Sequence, residues 1–181
     1  MKKTSTEKTI KYYIKLAKKE SKRRKLYIQR KNDTIFFSNG AFIVSFSAVR
    51  KNTLNLLQET FDFVAGEEDF CVEVLGDYCK NSETTISRYM PTTLEDGTLF
   101  YTGVNAEETR RTIYAFSDNV NLFAYDEKYV KPIKWGMFGK AHLPNSIYTM
   151  CVYIEIDLQI VVFPIVEHNS QFVKIAKLLN K

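Results

Sequence analysis

Two periodicities overlap in the first 25 residues, and together they fix how that stretch folds. Ile10, Tyr13, Ile14 and Ala17 recur at the spacing of one helix face, while Lys8, Lys11, Lys15, Lys18, Lys22 and Lys25 stand three or four residues apart. At roughly 100° per residue, the apolar group centres about 130° around the helix from the lysine row. The spacing predicts a helix over Thr6–Lys25, capped by Ser5 or Thr6, that docks by one side and shows cations on another. Residues 1–25 are expected as a basic N-terminal helix, and 26–181 as an α+β body.

Charge divides along the same line. Thirteen of the 26 Lys and Arg residues lie in the first 31 positions against Glu7 and Glu20 alone, a local charge of +11. The remaining 150 residues carry 13 basic and 19 acidic side chains, a net −6. A dense cation row concentrates polyanions and speeds encounter with them. The candidate binding set is Lys15, Lys18, Lys19, Lys22, Arg23, Arg24 and Lys25, with nucleic acid or a nucleoprotein complex as partner. The Arg23-Arg24 guanidinium groups suit bidentate phosphate contacts. Tyr12, Tyr13 and Tyr27 interleave with the cations, where they either stack on bases or pack. The same run also fits a solvated helix face, a solubilising tail, or a surface for an acidic protein. An acidic stretch (Glu67, Glu68, Asp69, Glu73, Asp77) is its counterpart, read first as solvated loop and second as a row of carboxylates imitating phosphate.

A chain of 181 residues suits one domain, or two small repeats sharing a core. With 45% hydrophobic and 14% aromatic residues, it is not a wholly disordered chain. No secretory signal is read, because lysines interrupt Ile10–Ala17. The longest apolar run, Ile160–Val166, contains Pro164 and is too short to span a bilayer. Cys71, Cys79 and Cys151 are odd in number and lack framework spacing, which favours reduced thiols. A cytoplasmic protein without a membrane partner is expected.

The body reads as mixed. Strands are expected at Leu26–Gln29, Thr34–Phe37 and Ala41–Phe46, with a type I′ turn at Asn39-Gly40. A helix follows over Val49–Ala65, its stripe built from Leu54, Leu57, Phe61 and Val64 or Ala65 and its stop at Gly66. Phe70–Leu75 is a short strand, and Asn81–Asp96 a mobile loop or midpoint junction. In the second half Thr98–Val104 is a strand. Asn105 and Glu108 have capping-box spacing, which predicts a helix over Ala106–Phe116. Val120–Tyr125 is strand-like, and Asp126–Val130 a single helical turn stopped by Pro132. Ile147–Ile154 and Leu158–Ile165 are two strands, and Ser170 caps a last short helix. The fold class is α+β, an antiparallel sheet with packed helices.

Catalytic and metal patterns are missing. His142 and His168 stand alone, with no H-x-x-x-H, C-x-x-C or H-E-x-x-H spacing. Cys151 sits in a β-branched, aromatic strand, the setting of a small core residue. No G-x-G-x-x-G or P-loop occurs, and Gly136, Gly139 and Lys140 make only a short basic loop. Neither an enzyme nor a cofactor is expected.

Three segments resemble the bacterial DNA sliding clamp and its single-chain phage relatives. They are the hairpin Phe36-Phe37-Ser38-Asn39-Gly40-Ala41-Phe42, the strand and helical turn Ala124-Tyr125-Asp126-Glu127-Lys128-Tyr129-Val130, and the strand Ile160-Val161-Val162-Phe163-Pro164-Ile165. The resemblance covers about a fifth of the chain. It implies short helices on curved antiparallel sheets and a non-enzymatic role on DNA or DNA-handling proteins of a phage or mobile element. The long basic helix and the residues after Pro164 depart from that pattern. The alternative function is an inhibitor of a nucleic-acid-guided nuclease or other host defence complex, of anti-CRISPR type.

Overall fold

The computed structural model describes residues 6–108, 111–119, 121–134, 136, 138–142 and 149–165, and within them the chain is mixed helix and antiparallel sheet. The described residues form two compact units: residues 6–90 with Ile154–Val161, and those of Pro91–Tyr153 with residues 162–165. In the first unit lie α1 (Thr6–Ser21), β1 (Leu26–Lys31), β2 (Thr34–Ser38), β3 (Phe42–Ser47), α2 (Lys51–Phe61), β4 (Phe70–Leu75), β5 (Tyr78–Asn81) and a 3-10 turn at Ser87–Tyr89. The second holds β6 (Glu95–Glu108), β7 (Arg111–Ser117), β8 (Leu122–Asp126), α3 (Glu127–Val130) and β9 (Phe138–His142). The chain returns to the first unit within β10 (Thr149–Glu155) and runs on through β11 (Leu158–Val162).

The strand order in the first unit is β5-β4-β1-β2-β3-β11, with the β4–β5, β1–β4, β1–β2 and β2–β3 pairs antiparallel. Ile28 lies opposite Phe37 and Phe37 opposite Val44, so Ile28, Phe37, Phe42, Val44 and Phe46 share one face. Onto that face α1 lays Ile10, Tyr13, Ile14 and Ala17, all at most 1% exposed. The Tyr13 ring meets Phe42 at 5.1 Å between centroids, and Phe37 stands edge-on to Phe42 and Phe46. Each large apolar side chain so buried contributes about 1.5–3 kcal/mol.

Several boundaries differ from the sequence expectation. The N-terminal helix, expected to reach Lys25, ends at Ser21. Its last carbonyls are consumed there: Arg23 and Arg24 amides donate to Glu20 O, and Gly76 N donates to Ser21 O at 2.7 Å. Leu26 is already required by β1, where it is fully buried opposite Val74. The Asn39-Gly40 turn is a four-residue connection, with Ser38 opposite Ile43. Only Gly40 has positive φ there, and Asn39 Oδ1 accepts from Ala41 N at 3.0 Å. Helix α2 is shorter than Val49–Ala65 and stops at Asp62, whose left-handed conformation ends it ahead of Gly66. Phe63 then turns in against Phe70 at 5.8 Å, and Val64 is left 93% exposed.

The second unit has the order β10-β9-β6-β7-β8 and contains the largest correction. The expected helix over Ala106–Phe116 is instead the β6–β7 hairpin, with Asn105 opposite Tyr114 and Glu108 opposite Arg111. The capping-box spacing loses to period-two burial. Ile113 and Ala115 join Ala124 on one face, while Tyr114 and Phe116 pack against Tyr101 on the other at 4.7 and 5.6 Å. Phe116 also meets Tyr125 and Phe138 edge-on. The expected helical turn is present as α3, its N-cap Asp126 accepting from Lys128 N at 3.1 Å. The stretch Asn81–Asp96 runs against the first unit's sheet as far as Ser87. Ser82 N reaches Cys71 O, Ser87 N reaches Gln29 Oε1, and Ile86 is buried. The C-terminal helix expected from Ser170 lies outside the described residues. Among the described residues, no helix is long and apolar enough to cross a membrane.

Candidate functional site

The residues nominated as a nucleic-acid-binding set fall at two places. Lys15, Lys18 and Lys19 are on α1; Lys22, Arg23, Arg24 and Lys25 form the turn that leads to β1. The apolar face of α1 is buried, so its remaining surface points away from the sheet. Lys8, Lys11, Lys15 and Lys19 are exposed there, a row about 17 Å long at roughly 1.5 Å per residue, and Lys22 is exposed just past the helix end. Arg23 and Arg24 are exposed beside its end. Among the described residues no carboxylate lies within ion-pair range of Lys15, Lys19, Lys22, Arg23 or Arg24.

Two nominated residues are drawn aside. Lys18 reaches Asp77 Oδ1 at 3.5 Å and lies over the Phe61 ring at 5.8 Å. Lys25 leaves the helix row altogether: its Nζ is 3.1 Å from Glu73 Oε1, with Lys80 Nζ at 3.6 Å from the same oxygen. The Lys25 hydrogen bond holds the Glu73 carboxyl below the ordinary range, and Glu73 in turn raises Lys25. Tyr27 is raised first by burial and then by its hydrogen bond to Glu73. The lysine row is therefore Lys8, Lys11, Lys15 and Lys19, with Lys22 just past the helix end, rather than the expected row through Lys18 and Lys25.

The interleaved tyrosines pack. Tyr13 is fully buried, Tyr12 stands edge-on to it at 5.6 Å, and Tyr27 is half-buried beside Glu73. The acidic stretch splits as well. Glu67, Glu68 and Asp69 are exposed, with Asp69 accepting from Asn32 N at 2.6 Å, while Glu73 and Asp77 are engaged by the chain's own lysines. The β4–β5 hairpin is not among the elements expected from sequence. Its signal was Leu75-Gly76-Asp77-Tyr78, a Gly-Asp pair between β-formers. In the structure Leu75 lies opposite Tyr78 and Gly76 has φ +63°, so this hairpin meets the end of α1 through Gly76 and Asp77.

Elsewhere the chemistry is structural. Cys151 is fully buried in β10 and burial drives its thiol well up; burial also pushes Cys71 up to about 11 and raises Cys79. Among the described residues no three His, Cys, Asp or Glu side chains gather as for a metal. Gly136 and Gly139, read as part of a basic loop, fit closely against the Tyr153 and Leu94 side chains, and Lys140 Nζ is 2.8 Å from Asp118 Oδ2. A hollow of about 270 Å³ at the start of α2 is lined by Glu7, Val49, Arg50, Lys51, Asn52 and Thr53, a mixed-charge set. Comparison with protein-family models and with curated proteins finds no match to this chain.

Proposed function

We propose that this is a non-enzymatic binding protein that holds nucleic acid, free or within a nucleoprotein complex, through the outer face of α1 and the turn after it. The observation that carries this reading is the contrast across one helix. Its apolar face is wholly used in the core, while Lys15, Lys19, Lys22, Arg23 and Arg24 are exposed without a carboxylate among the described residues. Cations next to a helix C-terminus also gain from its dipole, and that accounts for part of the cluster. It does not account for Lys8, Lys11 and Lys15, which stand on the first two-thirds of the helix.

The reading uses phosphate contacts and requires no base recognition from α1. Five phosphates neutralised at about 0.7–0.9 counterions each give a loss of about 500- to 3,000-fold between about 50 and about 300 mM salt. Fluorescence anisotropy of labelled single- and double-stranded DNA across that range tests it, and salt-independent affinity would sink it. An inhibitor that imitates phosphate with its acidic stretch is the second reading. It is weaker because Glu73 and Asp77 already answer the chain's own Lys25, Lys80 and Lys18.

A further inference from the structure

Register places an exposed aromatic beside the basic turn, on the sheet face that α1 leaves uncovered. Leu26 pairs with Val74 and Ile28 with Val72; these buried side chains face α1. The alternate positions Tyr27, Glu73 and Leu75, with Lys80 opposite Glu73 and Tyr78 opposite Leu75, line the other face. Around Gln29 that face is closed, since Gln29 is 8% exposed and bonded to Ser87 N at 2.9 Å. At the β5 edge it is open: Tyr78 is 65% exposed and Leu75 43%.

This open corner is fixed against the cations. Gly76, within the same hairpin, donates to the last carbonyl of α1, and Asp77 pairs with Lys18. Lys25 and Lys80 flank Glu73 on the face that carries Tyr78, and two ammonium groups outweigh its one carboxylate. The chain leaves α1 through Lys22, Arg23 and Arg24 at the same end of the sheet.

Resting on the nucleic-acid reading above, we infer that the preferred ligand is an unpaired strand, with a base stacked on the Tyr78 ring beside Leu75. Its phosphates run along Lys22, Arg23, Arg24, Lys25 and Lys80. A duplex keeps its base faces inside the stack, so a surface aromatic next to arginines gains chiefly from single strands. Stacking accepts any base, and recognition is therefore sequence-tolerant. The three tyrosines interleaved with the basic run are packed or half-buried; Tyr78 is the most exposed aromatic ring among the described residues.

Anisotropy with a labelled mixed-sequence single strand and a blunt duplex of equal length separates the possibilities. The proteins are wild type, Tyr78→Ala, Tyr78→Phe and, as control, Tyr89→Ala, which removes another exposed tyrosine. Wild type is expected to favour the single strand. Tyr78→Ala should lose about tenfold or more on the single strand, with duplex affinity and melting temperature unchanged. Tyr78→Phe and Tyr89→Ala should match wild type. Salt-sensitive binding that shows no strand preference, or that Tyr78→Ala leaves intact, overturns the stacking role while the α1 phosphate reading stands. Absence of binding to both probes overturns both.

Discussion

Lysines do different work in the two units. In the second, each described lysine on or near α3 and β9 has a partner. Lys131 meets Glu127 at 3.1 Å, Lys140 meets Asp118 at 2.8 Å, and Lys128 meets Asp126 and the Tyr129 ring. Lys134 lies over the Tyr114 ring at 4.8 Å and donates to its hydroxyl, which donates to Glu127. On α1 and its following turn, Lys15, Lys19, Lys22, Arg23 and Arg24 have no such carboxylate among the described residues. A cation held between a carboxylate and a ring stabilises the fold; a row of uncompensated cations repels itself and gains only when an anion arrives. Net charge alone hides this distinction. Ion-pair geometry exposes it.

Substitutions in the two regions should separate in thermal and denaturant melts. The largest effect belongs to Lys140→Ala. It removes the ammonium from Asp118, whose side chain is 6% exposed and keeps neutral donors such as the Asn121 amide at 2.7 Å, and should cost about 2–3 kcal/mol. Tyr114→Phe comes next, at about 1–2 kcal/mol, because it removes the hydroxyl shared by Glu127 and Lys134. Lys131→Ala loses one solvent-screened i,i+4 pair with Glu127 and should cost less than either. Lys15→Ala or Lys19→Ala should stay within about 0.5 kcal/mol of wild type. A cost of about 2 kcal/mol at Lys19 would mean that the α1 row is structural after all.

Glu73 gives a finer contrast, because it is the carboxylate that draws Lys25 out of the row. Its folded pKa is depressed, so its contribution is present above the ordinary carboxylate value of about 4.3 and is lost as pH falls through the lower folded value. Lys25→Ala should move its titration upward, as read by NMR of the side-chain carboxyl. An unmoved titration would assign the depression to Tyr27 and Lys80 instead.

The helical head was readable because apolar burial and charge repeat there together. Ile10, Tyr13, Ile14 and Ala17 are the residues that pack. Its end was not readable, since Ser21 O is taken by Gly76, a residue 55 positions away that local spacing cannot show. The β6–β7 hairpin was missed for a related reason. Asn105 and Glu108 satisfy a local helix signal, but burial of Ile113 and Ala115 on one face with Tyr114 and Phe116 on the other outweighs it. Of the candidate site, the cations were visible in sequence. Which of them pair with a carboxylate was not, because Asp77 and Glu73 reach Lys18 and Lys25 only through the β4–β5 hairpin.

The most direct test compares two charge-removal variants on one labelled nucleic acid at about 50 mM salt. One carries Lys15→Ala, Lys19→Ala, Lys22→Ala, Arg23→Ala and Arg24→Ala; the other carries Lys128→Ala and Lys131→Ala. The account predicts that the first loses binding while keeping its melting temperature, and that the second binds as wild type does. Binding that survives the first variant, or that falls equally in both, would contradict it.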